Sequence, residues 1–441
     1  MLRNPLFSKI LMICLLALLL LIPLGMIQSK ISERQSLQLQ VQQDIARSAS
    51  GPQTISGPYL VIRYRQIERR TIKDNSGNEK IIISSSIQDK VVMPRNLKID
   101  GDADVETRSR GIYQARLFNL HSKLTGTFVV PQGYGVGKSL KDIIPVAAYI
   151  VLNVSDSRGI RNAMVLTLNG SKFEFAPGSV SPIGGNGIHV PLPAIGLNES
   201  HTLNFDFPLE LQGMTTLAVA PSGNNTEMSL NSTWPHPSFG GSFLPRTRTV
   251  DEKGFSAHWL VTNLARNNTT QGEKGQLTGA EVFSVDFINP VNVYLLSERA
   301  VKYGVLFVVL VFTSFFMFEV LRRLRIHPMQ YLLVGLGMAM FFLLIISLSE
   351  HMSFLVAYMV SGAACVALIG IYLAGVLKKR KPAMAFAGGI ALLYSVLYGV
   401  LQSEDNALLM GTLVMFSALA AVMMLTRHMN WYELSKTTDE D

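Results

Sequence analysis

The run Gly133-Tyr134-Gly135-Val136-Gly137-Lys138-Ser139 follows the strand-like Phe128-Val129-Val130 and has the look of a phosphate-cradling loop. Such a loop needs a glycine five residues before the Gly of Gly-Lys-Ser, so that successive backbone N–H groups wrap the phosphates. That position holds Gln132, so the register fails and the glycines read as a turn. Asp156 and Arg158 stand two residues apart and could form a catalytic pair. The commoner use of such a pair is to fix a turn through charge-assisted hydrogen bonds. His121, His189, His201, His236 and His258 share this central region, but none has the H-x-x-x-H spacing that puts two ligands on one helix face. They read as ordinary hydrogen-bonded histidines, and no catalytic set, metal site or cofactor is expected. Trp234-Pro235-His236-Pro237-Ser238-Phe239 joins aromatic rings to prolines that fix φ. Exposed, it would be a partner surface; buried, it would only turn the chain. Gly184-Gly185-Asn186-Gly187-Ile188-His189 reads first as an ordered glycine loop and second as a ligand contact.

Two further candidates sit among apolar residues. Glu319 closes an apolar run, with Arg322 and Arg323 three and four residues on, and that spacing predicts an ion pair at the membrane interface. Glu350-His351 fills a short loop between two other apolar runs, where ionisable groups are functional candidates by default. An adjacent carboxylate favours the charged imidazole, which makes His351 a candidate pH-responsive group. Interfacial anchoring is the blander reading of both residues.

Two kinds of structure must position these residues. The chain is 48% hydrophobic and 16% charged, well below the roughly 25% charge of a soluble domain. Disorder and a purely soluble enzyme are thereby disfavoured. The net charge of +8 could suit nucleic acid. Nucleic acid is rejected because the excess sits in short clusters beside apolar segments, where orientation signals belong. The first apolar run is 10–27, read as an uncleaved signal anchor because no small-residue cleavage site follows it. Five more close the chain, at 303–318, 328–348, 354–377, 384–401 and 407–425, each near the ~20 residues that cross a bilayer. One set of flanks carries 11 Lys and Arg (Arg3, Lys9, Arg322, Arg323, Arg325, Lys378, Lys379, Arg380, Lys381, Arg427 and Lys436), and the opposite short loops 349–353 and 402–406 carry none. Both termini are therefore expected in the cytoplasm. The resulting segments are a cytoplasmic 1–9, a span at 10–27, an external domain at 28–300, a five-helix bundle at 301–425 and a cytoplasmic tail at 426–441. Cys14 and Cys365 both fall in apolar runs, so the external domain has no disulfide framework.

Residues 31–48 extend the first helix outward until Ser50-Gly51-Pro52 stops it. Beyond that, short β-rich runs recur at 59–65, 81–87, 112–118, 125–130, 148–154, 164–168, 203–211, 228–234 and 282–288, separated by Gly, Pro, Asn and Asp. That texture predicts a β-rich, sandwich-like domain.

Several segments resemble the bacterial inner-membrane CreD family. They are Ser50-Gly51-Pro52-Gln53 with Gly57-Pro58, Asp156-x-Arg158-Gly159-Ile160, Gly187-Ile188-His189-Val190-Pro191-Leu192 and Trp234-Pro235-His236-Pro237-Ser238-Phe239. Further matches are Phe255-x-Ala257-His258-Trp259, Glu298-Arg299-Ala300-x-Lys302-Tyr303, Phe315-Phe316-x-Phe318-Glu319, His327-Pro328-Met329-Gln330-Tyr331 and Leu348-Ser349-Glu350-His351. The resemblance runs from about residue 50 to 377. It implies a cell-envelope integrity protein in the regulon of the CreB/CreC two-component system, linked to colicin tolerance and β-lactam response, with no agreed reaction or ligand. The expectation is thus a non-enzymatic, multi-pass inner-membrane protein with six helices, one N-terminal and five C-terminal. Its large periplasmic domain would bind or sense an envelope protein or cell-wall component. The alternative is a transporter or lipid-handling protein built on the C-terminal helices.

Overall fold

The structure, a computed structural model, describes residues 5–73, 79–137, 139–180, 185–266, 281–288, 292–322, 326–377, 380–403 and 407–427. The chain forms two compact units: Met1–Leu39 with Val291–Asp441, and Gln40–Pro290.

The first unit is helical. Helix α1 (Pro5–Ser48) contributes its residues up to Leu39. It is joined by α2 (Val293–Arg322), α3 (Pro328–Ser349), α4 (Phe354–Leu377), α5 (Arg380–Gln402) and α6 (Ala407–Thr426). Leu20, Leu24, Ile27 and Ile31 of α1 are buried at intervals of four, three and four, one stripe of a 3.6-residue helix. Gly335 of α3 lets that stripe close in, since a Cβ there would overlap the Leu20 side chain. A capping box starts α3: His327 Nδ1 accepts from the Met329 N–H at 3.2 Å, Gln330 Oε1 accepts from the His327 N–H at 3.1 Å, and Pro328 occupies the first turn. Among the described residues, five helices are long and apolar enough to cross a membrane, α1 to α5. Among the described residues the apolar stretch of α6 is Leu409–Met424, within a helix of 20 residues, Ala407–Thr426, about 30 Å at 1.5 Å per residue and so near the thickness of a hydrocarbon core.

The second unit is β-rich. Its strands are β1 (Gln53–Lys73), β2 (Glu79–Val92), β3 (Asn96–Arg110), β4 (Tyr113–Val130), β5 (Ile143–Val154), β6 (Val165–Leu168), β7 (Ser171–Glu174) and β8 (Ala176–Pro177). They continue with β9 (Gly187–Leu192), β10 (His201–Met214), β11 (Thr216–Ala220), β12 (Asn225–Ser232), β13 (Pro237–Gly241), β14 (Thr247–Asp251), β15 (Gly254–Thr262) and β16 (Phe283–Phe287). One eight-stranded sheet runs β13-β16-β11-β1-β5-β9-β8, with β2 also on β1. The other runs β14-β15-β12-β3-β4-β10-β6-β7. Both feed one hydrophobic core: Leu60, Ile150 and Val190 from the first sheet meet Ile99, Leu124, Phe207 and Trp259 from the second.

The runs expected at 112–118 and 125–130 are the two ends of β4, whose polar middle places Leu120 and Leu124 inward and His121 and Lys123 outward. Strand β3 escapes a hydrophobicity reading because its outward residues are charged; the inward ones, Leu97, Ile99, Gly101 and Ala103, still alternate. The Gly133 run forms a short 3-10 turn in which Tyr134 is buried and donates its hydroxyl to the Ile195 carbonyl. Lys138 and Gly184 lie outside the described residues.

Candidate functional site

In the β domain, Asp156 and Arg158 do meet. Asp156 caps the turn Ser157–Gly159, accepting from the Arg158 N–H at 3.1 Å. Its carboxylate takes a bidentate pair from the Arg158 guanidinium at 2.9 and 2.6 Å. Those hydrogen bonds hold the Asp156 carboxyl below its usual range, and the pair raises Arg158 in turn. Arg158 Nη1 also donates to the Arg47 carbonyl at 2.5 Å, in the last turn of α1, where a cation suits the helix dipole. Gln53, fully buried, sits behind this turn. Its Nε2 donates to the Asp156 carbonyl at 2.9 Å and the Gln212 carbonyl at 3.2 Å, and its Oε1 accepts from the Asp156 N–H at 3.1 Å. Ser50 donates to the same Gln212 carbonyl at 2.6 Å. The Ser-Gly-Pro-Gln and Asp-x-Arg-Gly-Ile segments are thus one polar knot, in which the Asp156 side chain is occupied by structural bonds. Sequence reasoning misses Gln53 and Gln212 as members of it; the Gln that ends Ser50-Gly51-Pro52-Gln53 is the available signal.

The histidines scatter. His189 Nδ1 lies 2.8 Å from the Gly178 carbonyl, and His201 Nε2 3.2 Å from that of Gly196. His258 pairs across strands with Glu227 at 2.9 Å, and His121 faces Glu210 at 3.9 Å. Among the described residues, no three His, Cys, Asp or Glu are grouped to hold a metal ion.

The Trp234–Phe239 segment turns the chain and then joins a sheet. Pro237–Gly241 is β13, an edge strand, the position in a sheet that tolerates proline. The Trp234 indole N–H is shared between the carbonyls of His236 and Ile288 at 3.1 and 3.2 Å, and Arg116 stacks on its ring at 4.2 Å. Burial lowers the Arg116 guanidinium from its usual value. His236 is exposed, edge-on to Trp234. Phe239 packs edge-on against Phe255 and Trp259, with Arg248 over its ring at 5.6 Å. A cleft of about 630 Å³ opens here, lined by Pro237, Ser238, Phe239, Arg248, Val250 and Ile288.

In the helical unit, both carboxylates are bound to α1. Glu319 is 3% exposed. It accepts from the Tyr331 hydroxyl and the Ile326 N–H, each at 2.9 Å, and pairs with Lys9. Arg323 and the side chain of Arg322 lie outside the described residues. Glu350, near the other end of α3, lies 3.5 Å from Arg34 Nε and accepts from the Tyr294 hydroxyl at 3.3 Å. His351 is exposed beside it and hydrogen-bonds through its backbone to Leu348. Lys9 and Arg34 are 25 residues apart on α1, roughly 38 Å of helix, so the two ion pairs pin α1 at both ends of its span. No local spacing could have named these two partners.

A family model described as inner membrane protein CreD matches residues 5–432. The chain belongs to the CreD family. The family's inner membrane protein from Escherichia coli (strain K12) is 39% identical over 438 residues, covering 99% of this chain and 96% of its own length. The chain is accordingly a multi-pass inner-membrane protein with a β-rich domain. Among solved structures, a mutant M1 zinc metallopeptidase from Deinococcus radiodurans bound to a Tyr-Ser-Ala substrate aligns over 44% of this chain and 42% of its own, at 11% identity and a TM-score of 0.23. A second structure of that mutant gives 10% identity and a TM-score of 0.21 over the same shares. Overlaps that slight assign neither fold nor activity.

Proposed function

We propose that this CreD-family member is a non-enzymatic inner-membrane protein that supports envelope integrity and the envelope stress response. In this reading six helices cross the membrane, both termini are cytoplasmic, and the sandwich-like β domain lies in the periplasm, where it binds or senses an envelope protein or cell-wall component. The observation that carries it is the cleft at β13 and β14. It presents Phe239 and Arg248, residue types enriched at recognition surfaces, beside the exposed Val250. The test places a photo-crosslinking residue at Ser238 and at Val250 of the full-length protein in intact cells. A discrete adduct that vanishes in Arg248→Glu supports the reading. Absence of any adduct at both positions, with the protein at normal level and complementing, defeats it.

A second reading, lipid handling by the helices, is favoured by one feature. An apolar groove of about 800 Å³ lies among α2, α5 and α6, lined by Leu310, Met317, Val396, Leu413 and Ala418 among others. Native mass spectrometry checks it: a phospholipid retained by the wild type and lost in Ala418→Trp would support it, and equal retention would remove it.

A further inference from the structure

The β1–β2 ladder runs from Leu60 opposite Val92 to Lys73 opposite Glu79 without a register shift. Strand β5 covers the other edge of β1 only as far as Gln66, so beyond that point the ribbon is two-stranded. Among the described residues β2 has β1 as its one strand partner, which leaves its outer N–H and C=O groups as a free edge. Natural edge strands are blunted by charge, proline, bulges or brevity. This one is 14 residues long, and its stretch Ile81-Ile82-Ile83-Ser84-Ser85-Ser86-Ile87-Gln88 contains no charge and no proline. Ile81, Ile83 and Ile87, on one face, are 64%, 66% and 60% exposed, and Ile82 on the other face is 44% exposed. Left uncovered, such a segment is an aggregation hazard.

We propose that β2 is covered by β2 of a second copy of this chain, paired antiparallel about a two-fold axis at Ser84. The sequence itself indicates that occupant. With Ser84 opposite its own mate, Ile81 faces the mate's Ile87, Ile83 faces Ser85 and Ile82 faces Ser86. The isoleucines of the two copies then line one stripe across the joined ribbons, and residues directly opposite each other stabilise the pairing. No charge lies within the central seven pairs. The first acidic meeting, Glu79 with the mate's Asp89, falls at the ends, where Asp89 is already held by Arg63 through a bidentate pair at 2.8 and 2.9 Å. An isologous, self-complementary edge of this kind closes into a dimer and cannot propagate.

The test uses the full-length protein in its own membrane, with Cys14→Ser and Cys365→Ala as background. Directly opposed Cβ atoms in such a pair are about 5 Å apart, so Ser84→Cys should form a disulfide-linked dimer under mild oxidation. Ser86→Cys, facing Ile82 of the mate, should crosslink at least tenfold less. Ile83→Lys, at an exposed position, should raise the dimer dissociation constant at least tenfold by light scattering in detergent, with an unchanged melting curve. A monomeric wild type overturns the proposal, as do Ser84→Cys that fails to crosslink in folded protein and equal crosslinking at 84 and 86.

Discussion

Gly159→Ala tests whether the polar knot behind Asp156 holds the β domain together. A Cβ at this position would overlap the Gln212 carbonyl oxygen and Gln53 Nε2, and the contacts must open by roughly 1 Å to reach van der Waals distance. Gln53 cannot retreat that far and keep its bonds to both carbonyls, at 2.9 and 3.2 Å. Each lost bond is worth about 1 kcal/mol net, and a buried amide left without partners adds about 1–3 kcal/mol. The sum is about 3–5 kcal/mol. At roughly 2–4 °C per kcal/mol for a domain of this size, the melting temperature should fall by about 10 °C. Two of the three tryptophans, Trp234 and Trp259, lie in the β domain, so intrinsic fluorescence of the full chain in detergent reports its melting. Adding Gln53→Ala to Gly159→Ala should cost less than the sum of the two single changes, since the clash has then lost one partner. A Gly159→Ala protein that melts within about 2 °C of the wild type would refute the reasoning.

Three further outcomes are expected. Glu319→Gln removes the partner of Lys9 and should cost roughly 2–3 kcal/mol, less than the ~3–5 of a fully buried pair because Lys9 keeps some exposure; Lys9→Met added to it should restore part of the loss in a detergent heat-challenge assay. The Asp156 carboxyl titrates lower in the folded chain than its ordinary 3.8. Its contribution is therefore complete above that value and disappears as pH falls through the folded pKa. The melting gap between wild type and Asp156→Asn should accordingly be constant from pH 7 to 5 and close toward pH 3. Reporter fusions after Arg325, Lys381 and Arg427 should read as cytoplasmic and those near Met352 and Ser403 as periplasmic; one reversed pair would break the six-span topology.

Much of the architecture was legible in the chain itself, because it depends on local periodicity and composition. Helix α4 coincides with its expected run of 354–377, since hydrocarbon thickness sets a length that an apolar run either meets or misses. The continuation of α1 to Ser48 was readable from the Ser50-Gly51-Pro52 stop. Strands such as β5 and β10 were readable from their apolar residues, whereas β9, β11 and β15 have apolar inner faces and yet fall outside the expected runs. Where the inward residues are small and the outward ones charged, as in β3, or where prolines suit only an edge, as in β13, hydrophobicity along the chain carried no such signal. Pairing between distant residues was decided by tertiary structure alone. Glu319 had two arginines at helical spacing, yet its described partners come from Lys9, 310 residues away, and from Tyr331 and the Ile326 backbone. Gln53 meets Asp156 and Gln212 only because β1, the turn after β5 and the end of β10 converge. Composition and period are properties of neighbours in the chain; which buried donor meets which acceptor depends on how whole elements pack, and no local spacing encodes that.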